Sequence, residues 1–145
     1  MKRRELLQML PAMAFLPTVS RAAQEYKEAV MQSSTTVYEL RQYHAAPGKL
    51  PELLSRFRDH TIALFDQHGM KTLAFWTPTD DPLKGNMLVY ILVHPSRDAA
   101  AANWKSFQAD PEWIRVRDRS EENGKLVEKI DSTYMAMTEF SPRVG

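Results

Sequence analysis

The chain has no cysteine among its 145 residues. Disulfides, thiolate metal sites, iron–sulfur clusters, a cysteine nucleophile and a lipidated N-terminal cysteine are excluded with it. Charge excess is also lacking: 19 Lys and Arg stand against 18 Asp and Glu, a formal net charge of +1. So balanced a chain offers no electrostatic footprint for nucleic acid. Glycine is sparse, at five residues, and builds neither a phosphate-cradling loop nor a dinucleotide fingerprint. Neither G-x-S-x-G nor H-E-x-x-H occurs, so hydrolase, protease, kinase and dehydrogenase readings lack support. Long hydrophobic runs are missing too. The most apolar stretch, Leu6 to Val19, is interrupted by Pro11 and Pro17 and falls short of the roughly 20 residues that span a bilayer.

What is present begins with an address. Lys2, Arg3 and Arg4 precede that short apolar stretch, and Ser20-Arg21-Ala22-Ala23 supplies small residues after it. A basic start, a short apolar middle and a small-x-small site read as an export signal over 1–22, cut after Ala22. Arg3-Arg4 followed by Leu6-Leu7 resembles a twin-arginine signal; an ordinary secretory signal is the alternative. The expected location is periplasmic or secreted, with no membrane attachment after cleavage. Residues 1–22 carry four basic residues and one acid, so the remainder holds 15 Lys and Arg against 17 Asp and Glu, a net −2.

The remainder is long enough for one domain, and its 43% hydrophobic content suits a packed core. Residues 23–35 are polar and read as a short helix or tether. A strand is expected over 36–43, rich in β-branched and aromatic residues. Leu50, Leu53, Leu54, Phe57, Thr61, Leu64, Phe65 and His68 recur at helical spacing, which predicts one helix over 49–68, stopped by Gly69. Strands follow over 71–77 and 86–94. An alanine-rich helix runs over 97–108, capped by Ser96. Asp110-Pro111-Glu112 has the cap, the ring and the acid that open another helix, broken at Gly124. The last strand is expected over 127–140.

The order β-α-β-β-α-α-β is that of an α+β, ferredoxin-like split β-α-β sheet with helices on one face. Alternation puts Tyr38, Leu40 and Gln42 on one face of the first strand and Val37, Glu39, Arg41 and Tyr43 on the other. The apolar face suits the helices. The face mixing Arg, Glu, Trp and Tyr is expected to meet a second copy, giving a dimeric α/β barrel with a central cavity.

A family resemblance accompanies these residues. Val37-Tyr38-Glu39-Leu40-Arg41-Gln42-Tyr43 with Pro47-Gly48, then His68-Gly69, Phe75-Trp76, Ser96-Arg97 and Asp110-Pro111-Glu112-Trp113 together resemble the NIPSNAP family over residues 36–142. The resemblance implies a homodimeric α/β barrel, related in shape to small cofactor-independent monooxygenases and haem-degrading enzymes. It implies little chemistry, since the family has no agreed catalytic residues. One departure is Leu73-Ala74, where family members usually carry a glycine shortly before the tryptophan.

Glu39 and Arg41 share a strand face. In a closed cavity Arg41 holds a carboxylate or phenolate and Glu39 acts as base or counter-charge; alternatively the two are an ion pair that pins an interface. Tyr43, Trp76, Tyr90 and Tyr134 either line an aromatic ligand cavity or pack as core. The histidines are scattered, without the i, i+4 spacing of a helical metal site, and no metal or cofactor is expected. His68 reads as a helix cap; His60 and His94 are the lone-histidine haem candidates. Arg115, Arg117 and Arg119 interleave with acids as a solvated face. The sequence therefore points to an exported homodimer that binds a small apolar or aromatic ligand in the barrel cavity. The alternative is a cofactor-independent monooxygenase or isomerase acting on a phenol or quinol, with Arg41 holding the anion and Glu39 or His60 moving the proton.

Overall fold

The computed structural model describes residues 20–144. The export signal expected over 1–22 lies outside them except for its last three positions. Helix α1 (Arg21–Thr35) occupies the polar segment and keeps Tyr26 exposed. Strand β1 (Val37–Ala45), helix α2 (Leu50–Arg56), a π-helical turn (Phe57–Thr61), helix α3 (Ile62–Gln67), strands β2 (Lys71–Trp76) and β3 (Met87–His94), helices α4 (Arg97–Gln108) and α5 (Pro111–Ser120) and strand β4 (Val127–Met135) follow. The strands form one antiparallel sheet in the order β2-β3-β1-β4, the split β-α-β arrangement expected from the element order.

Local chemistry sets the helix ends as the sequence indicated. Ser96 Oγ accepts from the Ala99 amide, and Asp110 Oδ1 accepts from the Glu112 amide with Pro111 at the first helical position. Gly69 stops the first helical rod at φ +71°. A Cβ there would also sit 3.3 Å from Asn103 Nδ2, which donates to the Gly69 carbonyl. That rod is not a uniform helix. Thr61 Oγ1 donates to the Arg56 carbonyl, and the Ile62 amide reaches back to Phe57, so one turn widens between α2 and α3. β4 ends at Met135, before the expected Phe140, and Phe140 is exposed.

The core is aromatic. Phe57 of the π turn meets Tyr43, Phe75 and Tyr90 of the sheet at centroid distances of 5.5, 5.9 and 5.2 Å. Phe65 extends the cluster to Trp104 and Phe107 of α4, and Phe107 meets Trp113 of α5 in a tilted contact. Edge-to-face and tilted contacts dominate, as ring quadrupoles favour. Leu53, Leu92 and Leu126 fill the remaining space with no exposure.

These contacts reverse the expected faces of the sheet. The face carrying Glu39, Arg41 and Tyr43 lies beneath the helices, with Leu88, Tyr90, Leu92 and His94 of β3. The opposite face carries Tyr38, Leu40 and Gln42, paired in register with Val93, Ile91 and Val89. Alternation separates two faces but does not say which is dry. Here the charged face is dry because the Glu39 carboxylate and most of the polar atoms around it find partners from the helices and the neighbouring strands; Arg41 Nε and His94 Nδ1 are buried without one. A bulge between Thr72 and Ala74 displaces Leu73 to the face opposite the helices while Phe75 stays beneath them. It falls where the sequence departs from the expected glycine.

Candidate functional site

Glu39 is the centre of a buried polar network. Its Oε2 accepts from Trp104 Nε1 at 2.7 Å and from His94 Nε2 at 2.9 Å; its Oε1 accepts from Ser132 Oγ at 2.8 Å and from Arg41 Nη1 at 3.1 Å. Glu39 and His94 are 1% and 0% exposed. Burial alone would raise the Glu39 pKa. The donors from His94, Trp104 and Ser132, with the Arg41 charge, outweigh it and bring the carboxyl down to about 2. Because an ionised carboxylate only accepts, His94 carries its proton on Nε2. Its Nδ1 is buried without a partner.

Arg41 links this carboxylate to two phenols. Its Nη2 donates to the Tyr43 hydroxyl at 3.1 Å, and the buried Tyr90 hydroxyl donates to the same oxygen at 3.1 Å. The guanidinium lies 4.4 Å from the Trp104 ring centroid. Burial works against the Arg41 charge, but the Tyr43 and Tyr90 oxygens push its pKa further up. Burial, with Tyr43 alongside, pushes the Tyr90 phenol well above its ordinary range. Tyr134 stands at the rim of the network. Its ring is 6.2 Å from His94, and Arg97 lies 3.5 Å over its face. Burial and the Glu39 charge raise its pKa.

The structure therefore joins Glu39, Arg41, Tyr43 and Tyr90 directly and sets Tyr134 beside them. Trp76 and His60 lie elsewhere. Trp76 is exposed on β2, paired with Val89 on the face opposite the helices. His60 is in the π turn and lines a polar cleft of about 460 Å³ between α2 and α5, with Glu52, Asp59, Arg115 and Arg119. Sequence reasoning did not connect His94, Trp104 and Ser132 to Glu39. The signals available were a histidine two residues past the Leu92 partner of Glu39, and one indole N–H on an otherwise alanine-rich helix.

A second cluster comes from the motif residues His68 and Asp110. His68 Nε2 bonds Asp110 Oδ2 at 2.7 Å, and Nδ1 bonds Ser106 Oγ at 2.8 Å. The histidine thus ties the end of the first helical rod to α4 and to the cap of α5, more than the helix cap expected of it. The bond from His68 and the Glu112 amide lower the Asp110 pKa. Ser106 sits inside α4, so the set joins three helix ends and helix faces through one imidazole. Among the described residues, no group of three or more His, Asp or Glu side chains is placed to hold a metal, and no helix is long and apolar enough to cross a membrane.

The NIPSNAP family model matches residues 38–142. The chain belongs to the NIPSNAP family. Among solved structures, a NIPSNAP domain protein from Burkholderia xenovorans is 24% identical, with 74% of this chain and 99% of that one covered at a TM-score of 0.63. A NIPSNAP family protein of unknown function from Agrobacterium tumefaciens is 24% identical, with 74% and 93% covered at 0.64. SnoaB, a cofactor-independent oxygenase from Streptomyces nogalater, is 17% identical, with 75% and 99% covered at 0.50. At these identities the likeness is one of fold, which this NIPSNAP chain shares with such oxygenases. No curated protein sequence matches the chain.

Proposed function

We propose that the chain is an exported NIPSNAP homodimer that holds a small apolar or aromatic ligand between its two sheets. One observation carries the reading. The sheet face opposite α2 to α5 presents Leu40, Val89, Ile91 and Val93, half-buried and contiguous across β1 and β3. A two-fold axis over such a face meets like with like, which suits apolar side chains and would repel charges. At one end of that face lies a groove of about 320 Å³ lined by Tyr38, Leu73, Ile91, Met135 and Met137. A second sheet laid over it makes a lumen of small-molecule size. Its lining is apolar, so the ligand is apolar or aromatic.

The oxygenase or isomerase alternative draws less support. Glu39 accepts four hydrogen bonds and is held at about 2, which makes it a poor base near neutral pH. His60 lines a cleft that does not include Arg41.

Sedimentation velocity of the chain from residue 23, across a micromolar concentration series, tests the dimer. A dimer that Ile91→Glu converts to a folded monomer supports it; a wild-type monomer throughout overturns it. The neutral dye N-phenyl-1-naphthylamine then reports the lumen. Fluorescence enhancement in the wild type that is lost in Ile91→Glu supports the ligand site, and equal enhancement in both overturns it. Fractionation of cells expressing the full chain tests export, which cytoplasmic retention of uncleaved protein would refute.

A further inference from the structure

A second cleft lies on the helix side of the sheet, away from the proposed lumen. It occupies about 380 Å³ between α5 and the β1–β4 edge. Its walls are aromatic and aliphatic: Tyr43 from β1, Trp113 from α5 and Ile130 from β4. Its charged lining comprises Arg56, Arg117 and Lys129 against Glu121 and Glu128, a positive balance in a chain that is negative beyond its signal.

Arg56 distinguishes this cleft from a chance furrow. It is 6% exposed, and its guanidinium lies 5.3 Å from the Trp113 ring centroid. Nη1 donates to Ser120 Oγ and to Glu121 Oε1, both at 3.2 Å, while Nε is buried without a partner. A buried guanidinium is costly unless acceptors meet its donors. Glu121 is itself a third exposed, so its hold on the cation is partly screened.

We propose that this cleft binds a small aromatic carboxylate. The ring lies against Tyr43, Trp113 and Ile130, and the carboxylate meets Arg56, with Arg117 and Lys129 adding to the positive field at the mouth. The planar fork of a guanidinium matches a carboxylate, and rings flanking the cation match a flat, single-ring acid. The volume admits a benzoate-sized ligand. No second copy of the chain is required, because every group named comes from one chain.

Isothermal titration of the purified chain with benzoate, benzyl alcohol and acetate tests the site. Benzoate is expected to bind, with its neutral analogue and its ringless analogue each weaker by about tenfold or more, the factor set by losing about 1.4 kcal/mol of interaction. Benzyl alcohol binding as well as benzoate would make the cleft an apolar slot, and acetate binding as well would make it a bare anion site; either overturns the proposal, as does no benzoate binding at millimolar concentration. Arg56→Gln should abolish binding. Because Arg56 is buried, Ile130→Trp provides an independent check: Ile130 is 44% exposed, so the larger ring fills the cleft without entering the core. Its circular dichroism should be unchanged and its benzoate binding lost; retained binding places the ligand elsewhere. Ile91→Glu should still bind benzoate, which separates this site from the lumen.

Discussion

The indole Nε1–H of Trp104 donates to Glu39 Oε2 across 2.7 Å, and the same ring packs against the Arg41 guanidinium. One side chain of α4 therefore satisfies the anion of a buried ion pair and covers its cation. This arrangement lets the sheet keep a Glu–Arg pair beneath the helices.

Trp104→Phe keeps the ring over Arg41 and removes the donor. A hydrogen bond to a buried charge contributes roughly 1.5–3 kcal/mol, so urea unfolding at neutral pH should show a loss of about 2 kcal/mol. A loss near zero would mean that water or another donor replaces the indole.

Much of this architecture is legible in the sequence. Ser96 and Asp110 announce helix starts with their own side chains, and the spacing from Leu50 to His68 announces the long rod. These features are local, so a short window suffices. The orientation of the sheet is not local. Alternation shows that Glu39, Arg41 and Tyr43 share a face, but that face becomes interior through Trp104, His94 and Ser132, which lie 65, 55 and 93 residues away from Glu39. The π turn is hidden for another reason. It keeps Phe57 and Thr61 buried, so the hydrophobic period barely registers the wider turn.

The Glu39 carboxyl makes stability depend on acid. Its pKa is about 2 folded against 4.5 for the free group. Well above pH 4.5 both states are ionised and the full stabilisation is present, about 3 kcal/mol by order of magnitude. Between pH 4.5 and 2 the unfolded chain takes up a proton that the folded chain refuses, and the stabilisation is lost. Glu39→Gln should be several kcal/mol less stable at pH 7, and its unfolding free energy should converge on that of the wild type as the pH falls through this window. Other carboxylates are common to both proteins and cancel. A gap that stays constant from pH 7 to pH 2.5 would show that ionisation of Glu39 contributes nothing.

The His68–Asp110 bond predicts a coupled pair of helices. His68→Ala should speed amide hydrogen exchange along α5, because the end of the first rod no longer holds the Asp110 cap. The bond from His68 lowers the Asp110 pKa, so this contribution is complete above the ordinary aspartate range and declines as the pH falls below it. Asp110→Asn retains a capping oxygen and loses the charge. In a double-mutant cycle with His68→Ala, the two changes together should cost less than the sum of their separate costs. Strict additivity would mean that His68 acts only on Ser106.

Tyr43 and Tyr90 differ in role although they share one hydrogen bond. The Tyr43 oxygen accepts from both Arg41 Nη2 and the Tyr90 hydroxyl. Tyr43→Phe deletes the acceptor and strands two donors, one on a phenol with no exposure; the expected cost is about 2–3 kcal/mol. Tyr90→Phe deletes one donor and leaves the Tyr43 oxygen bonded to Arg41, so its cost should be about 1 kcal/mol or less. The double variant removes both phenolic groups and strands only the guanidinium, so it should be more stable than the sum of the two losses predicts. Urea unfolding of the four proteins measures this directly. If Tyr90→Phe proves the more damaging substitution, the donor and acceptor roles assigned to this pair are reversed, and the Tyr43 proton must be what holds the network to Tyr90.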